Sequence, residues 1–109
     1  LTMADDTTRP TLESAMMRLR MDDDLMADVQ EAISQAHAEA QAYLDGTPYA
    51  SAQDMADAQD AKGIVCAPDI IAAQLLLVDA IVNNNSDEGS GLKRARAFDM
   101  LRRHRNQGA

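Results

Sequence analysis

The chain has 109 residues and carries 18 Asp and Glu against 10 Lys and Arg, a net charge of −8. That length makes one domain with a thin core, and the acidic balance argues against a surface that holds nucleic acid all round. Cys66 is the only cysteine, which excludes an intramolecular disulfide and fits a reducing site of folding.

The charge is unevenly spread. Residues 1–60 hold thirteen acids and three arginines, whereas 92–109 hold one acid, Asp99, and six cations. Aromatics are limited to Tyr43, Tyr49 and Phe98, and seven methionines with many alanines take their place. Alanine lets helices approach closely and methionine fills irregular gaps, so the composition predicts an all-α fold, a small helical bundle. The first residues lack a basic-then-apolar leader pattern. The most apolar segment, Ile70–Val82, is too short and too interrupted to span a membrane.

In chain order, residues 1–10 read as a flexible N-terminal arm. A core domain follows over 11–82. Its first helix covers 11–20, with Thr11 as cap and Leu12, Ala15, Met16 and Leu19 on one face. The acids Asp22, Asp23 and Asp24 open a second, long helix, where carboxylates accept free backbone N–H groups and oppose the helix dipole. Leu25, Val29, Ala32, Ile33, Ala36, Ala40, Tyr43 and Leu44 keep its helical period. Gly46 and Pro48 stop it. Residues 51–61 read either as a weakly anchored helix capped by Ser51 or as a loop, and Gly63–Cys66 as a short extended segment. Pro68 starts a third helix, where a missing N–H is harmless. Apolar residues surround it, which marks it as the central helix of the bundle. Residues 83–91 form a flexible hinge loop, and 92–109 a mobile basic C-terminal helix running from Leu92 to about Arg105.

The chemistry of catalysis is sparse. Asp22–Asp24 lack the alternating acids and glycine of a calcium loop. His37 and His104 have no partner at ligand spacing, Ser34 and Ser51 lack a nucleophile context, and Cys66 reads as a small hydrophobe. No catalytic, metal or cofactor site is expected, and the chain does not read as an enzyme. The basic segment has three readings: a solvated face, a contact to DNA phosphates, or a docking helix anchored by Phe98 and Leu101. Arginine outnumbers lysine five to one across Lys93–Arg105, which suits interfaces. No aromatic stacking platform accompanies it. Partner docking is favoured, through Leu92, Lys93, Arg94, Arg96, Phe98, Leu101, Arg102, Arg103 and Arg105.

The order of parts carries a resemblance. Leu19-Arg20-Met21 precedes the acid cluster, and the alanine-rich helix closes on Ala42-Tyr43-Leu44-Asp45-Gly46. Then come Ala67-Pro68-Asp69-Ile70-Ile71-Ala72-Ala73-Gln74-Leu75-Leu76-Leu77-Val78 and Ala97-Phe98-Asp99-Met100-Leu101-Arg102-Arg103-His104-Arg105. Over residues 11–105 this resembles the head–tail connector (portal adaptor, head completion) proteins of tailed bacteriophages. The chain departs from that family at Ile81-Val82-Asn83-Asn84-Asn85, where an aromatic-rich helix end is usual, and at Arg103-His104, where proline and tyrosine are usual. The resemblance implies a structural virion protein in the neck, made in the host bacterial cytoplasm. It implies a homo-oligomeric ring of twelve copies beneath the portal protein, meeting a downstream neck or tail-completion protein. Genomic DNA would pass through without sequence-specific binding, and no membrane would be involved. Residues 92–105 would reach the portal, swinging on 83–91, and Glu31 and Glu39 on the long helix are candidate lumen-facing acids. The alternative is a small helical regulatory or nucleic-acid-binding module that uses its basic C-terminal helix.

Overall fold

Thr11 does what its position predicts: its side-chain oxygen accepts the N–H of Ser14 at 3.0 Å and opens helix α1, Leu12–Arg18. The architecture is that of a computed structural model, which describes residues 8–83 and 87–106. α1 ends by a paired closure, Met21 N–H to the Met16 carbonyl and Arg20 N–H to the Met17 carbonyl. Such a closure needs a left-handed residue, and Arg20 supplies it at φ 54°. Asp22–Asp24 remain exposed, and Asp22 makes no side-chain cap hydrogen bond. Asp23–Leu25 form a 3-10 turn, so the expected cap is replaced by this turn and the long helix α2 runs from Met26 to Leu44.

α2 buries Val29, Ala32, Ile33, Ala36, Ala40 and Leu44, positions separated by three, four or multiples of a turn, and so one face. Gly46 is not its left-handed terminator. Asp45 takes that role at φ 55°, with its N–H bonded to the Gln41 carbonyl. A short polar side chain tolerates this conformation better than most. Gly46 is required for space: a Cβ there would stand 2.4 Å from the Lys62 carbonyl oxygen and 2.5 Å from the Asn106 side-chain nitrogen.

Residues 47–67 resolve into a small crossover unit. Strands β1, Pro48–Tyr49, and β2, Ile64–Val65, pair in parallel. Parallel strands need a crossover, and helix α3, Ala52–Ala58, capped by Ser51, supplies it. α3 buries no residue fully. The crossover is braced by Asp60, which accepts the Tyr49 hydroxyl at 2.9 Å and the Lys62 N–H at 3.0 Å.

α4, Pro68–Val82, starts at its proline and buries Ile70, Ala73, Gln74, Leu75, Leu77, Val78 and Ala80. It is the central helix, packed on both α2 and α5. Helix α5 spans Asp87–Leu101, five residues earlier than the sequence suggests, and a 3-10 turn, Arg102–His104, continues it. Residues 87–91 are thus the first turn of a helix and not part of a hinge. The glycines that suggest a loop are overridden by packing along α4, where the Ser90 hydroxyl donates to the Ala80 carbonyl at 3.2 Å. Asn84, Asn85 and Ser86, within the expected hinge, lie outside the described residues, as do residues 1–7 of the expected arm. Thr8–Pro10 are anchored: Pro10 is buried, and the Thr8 carbonyl accepts from Gln74.

The fold is therefore a small all-α bundle, a long amphipathic helix packed on a central apolar one, with a short N-terminal helix at its edge. It is flat, 41 × 34 × 17 Å.

Candidate interaction surface on the basic helix

α5 and the turn that follows it place the nine residues singled out for docking in three groups. Leu101 is fully buried, as is its neighbour Ala97, and both belong to the core. Phe98 is half-buried, its ring 4.9 Å from that of Tyr43 and tilted by 38°. In this conformation neither Phe98 nor Leu101 is presented as an external anchor. Both hold α5 to the body.

Most of the cations form the second group, and they are engaged within the chain. Arg94 pairs with Glu39 across α5 and α2. Lys93 pairs with Asp79 of α4 at 3.2 Å. Arg103 donates through Nε and its terminal nitrogen to Asp69 Oδ2, at 3.1 and 2.7 Å. Arg105 donates from Nε to the Tyr43 carbonyl at 3.0 Å and lies 5.0 Å above the Tyr43 ring. That position sits at the negative end of α2, where a cation is favoured. Asn106 completes this cap. Its N–H donates to the Leu44 carbonyl at 2.9 Å, and its side chain to the carbonyls of Asp45 and Lys62 at 2.7 and 2.9 Å. The segment after α5 thus covers the free carbonyls that end α2.

Asp69, in the first turn of α4, is the other fixed point. His104 Nε2 lies 2.9 Å from both its carboxylate oxygens. An ionised carboxylate only accepts, so the ring must carry a hydrogen on Nε2. Burial pushes the Asp69 carboxyl up, but hydrogen bonds and positive charge from His104 and Arg103 outweigh it and hold the group below its ordinary 3.8.

The third group faces outward. Leu92 is 67% exposed. Arg96 is exposed and pairs with no described residue, and among the described residues the Arg102 guanidinium pairs only with Asp99, in an open pair at 3.3 Å. A surface pair of that kind contributes little, about 0–1 kcal/mol. Of the two acids considered for a channel, Glu31 is exposed. Glu39 is neutralised by Arg94 and also accepts from Gln35 at 3.1 Å.

One polar relay is missed by reading the sequence alone. Gln74 is fully buried in α4. Its amide nitrogen donates to the Thr8 carbonyl at 2.8 Å, which leaves its oxygen to face His37 Nδ1 at 3.1 Å. The ring of His37 must therefore donate from Nδ1, and three chain segments are tied at one point. The period of α4 places Gln74 inside, but its partners lie 37 and 66 residues away and leave no local signal.

Cys66 is half-buried against the core, and its N–H continues the strand pairing to Tyr49 at 2.8 Å. Among the described residues no group of His, Cys, Asp or Glu is arranged to hold a metal ion, and no helix is long and apolar enough to cross a membrane. In comparisons with protein-family models, curated proteins and solved structures, nothing matches this chain.

Proposed function

We propose that the chain is a head–tail connector subunit of a tailed bacteriophage, a structural protein that forms a ring beneath the portal, extends the DNA channel and joins the head to the neck and tail. The observation that carries this reading is the order of parts: short helix, acid cluster, alanine-rich helix closing on Tyr43-Leu44-Asp45-Gly46, proline-started apolar helix, arginine-rich end. A flat bundle with Met17, Met26 and Leu92 exposed supports assembly in a ring better than it supports an enclosed reaction site. Leu92 and Arg96 of α5, with Arg102 just after it, face outward and are the residues offered to the portal without unfolding anything.

The test is electron cryo-microscopy of the full chain mixed with the portal ring of the same phage. A second ring of density below the portal, with α5 at the contact, is the expected result. Portal rings that stay bare at saturating concentrations of the chain overturn the proposal. A salt-dependent mobility shift of duplex DNA by the chain alone would support the regulatory or nucleic-acid-binding alternative instead. The pairing of Lys93, Arg94 and Arg103 with carboxylates weighs against that alternative, because cations already neutralised release fewer counterions from DNA.

A further inference from the structure

Two apolar grooves on separate parts of the bundle differ in the sign of their rims. The first lies where α1 meets the start of α2, with Leu12, Met16, Met17, Met21 and Met26 as its floor. Met17 is 71% exposed and Met26 44%. The charged residues of this groove are both acids, Glu13 and Asp23. The second lies between α4 and α5, with Ala72, Leu76, Leu92 and Met100 as its floor. Its charged residues are both cations, Lys93 and Arg96. No residue lines both grooves.

We infer that these grooves are the two halves of one contact between copies of this chain, the acidic methionine groove of one copy seating against the basic leucine groove of the next. The charges decide which groove meets which. A contact of either groove with its own kind would bring acids against acids or cations against cations, which is unfavourable. A head-to-tail contact sets Glu13 and Asp23 against Arg96 and Lys93. Arg96 is the main charge available for this, since Lys93 already meets Asp79. Methionine suits such a seat because its flexible thioether adapts to the facing surface. A copy carrying −8 repels another copy in general, so association requires a local match of this kind. Repeating a head-to-tail contact generates a ring where the rotation closes and a filament where it does not. The inferred contact stands on the two grooves alone. It deepens the connector proposal by naming the surfaces through which a ring would form.

The experiment is sedimentation equilibrium of the full chain over micromolar to millimolar concentrations, with a charge swap. The wild-type chain is expected to associate as concentration rises. Glu13→Arg and Arg96→Glu, both at exposed positions, are each expected to weaken association by about tenfold or more. The double variant, Glu13→Arg with Arg96→Glu, is expected to recover most of that loss. A chain that stays monomeric throughout, single reversals that leave association unchanged or strengthen it, or a double variant that fails to recover would each overturn the inference. Circular dichroism of every variant establishes that the helices are intact. The same proteins separate the two proposals. Copies that associate but leave the portal bare defeat the connector proposal and keep this contact. Copies that form a ring only on the portal, with no response to the swap, defeat the contact and keep the connector.

Discussion

Replacing Gly46 by alanine is the sharpest perturbation that the fold offers. The added Cβ stands 2.4 Å from the Lys62 carbonyl oxygen, a full ångström inside the 3.4 Å at which ordinary contact begins. That oxygen is backbone and cannot swing aside. It also leads directly into β2 through Gly63. The second clash, 2.5 Å from Asn106 Nδ2, forces out a side chain that donates to Asp45 and Lys62. Forced displacement of packed atoms costs about 1–3 kcal/mol, and each lost hydrogen bond about 1 kcal/mol. Gly46→Ala should therefore destabilise the chain by about 3–5 kcal/mol, a large share of the roughly 5–15 kcal/mol that holds a typical domain. The measurement is urea unfolding followed by circular dichroism, with the change read from the midpoint at constant slope. Asp45→Gly is the companion variant. Asp45 holds the left-handed conformation, which costs a non-glycine residue about 1–2 kcal/mol, part of it offset by the entropy that glycine loses on folding. Asp45→Gly should raise stability by about 0.5 kcal/mol. A Gly46→Ala variant within about 0.5 kcal/mol of wild type, or a loss on Asp45→Gly, would refute the assignment of space to Gly46 and of the turn to Asp45.

The remaining predictions probe other joints. Gly91 has open space where a Cβ would be and lies within α5, so Gly91→Ala should stabilise by about 1 kcal/mol; no gain in thermal unfolding would argue that residues 87–91 are not helical in solution. Gln74→Leu keeps the volume but strands the Thr8 carbonyl and His37 Nδ1, so it should cost about 1–3 kcal/mol, read by the same urea titration. Asp69 has a folded value below its ordinary 3.8, so its contribution is fully present above that pH and is lost as pH falls through the lower value. Unfolding midpoints of wild type and Asp69→Asn should differ at pH 6 and converge below pH 3.8; a gap that persists at the acid end would assign the effect to packing instead.

Much of the bundle was legible because it is written in local patterns. The period of Val29, Ile33, Ala36 and Ala40 gives the long helix, Thr11 and Ser51 act as side-chain caps, and Pro68 opens the central helix. The rest is set by packing at long range. Gly46 reads as a helix terminator, the commonest reason for a glycine there, whereas its constraint comes from Lys62 and Asn106. Glycines at 89 and 91 suggest a loop because local propensity says nothing of α4 beneath them. The basic residues read as free because the carboxylates that hold Arg103 and Arg94 lie 34 and 55 residues away. Long-range partners leave no trace in a single sequence.

The internal use of the basic segment changes how a partner can use it. Lifting α5 from the body exposes Leu101 and Ala97, both fully buried, and separates Phe98 from Tyr43. Transfer of those side chains to water costs about 5 kcal/mol before any surface uncovered on α4 is counted. A gap of that size leaves roughly one molecule in several thousand undocked at equilibrium. It also uncovers the end of α2, because Arg105 and Asn106 leave the carbonyls of Tyr43, Leu44 and Asp45. A portal that captured a swung-out α5 would have to bind it several thousand times more tightly than the docked form merely to reach even populations. A portal that reads the outward stripe of Leu92, Arg96 and Arg102 faces no such penalty. Leu92 and Arg96 also line the basic groove assigned to the neighbouring copy, so a ring that uses this groove leaves Arg102 and the end of α5 for the portal. The two contacts would then divide α5 along its length, the neighbour taking its middle and the portal its C-terminal end.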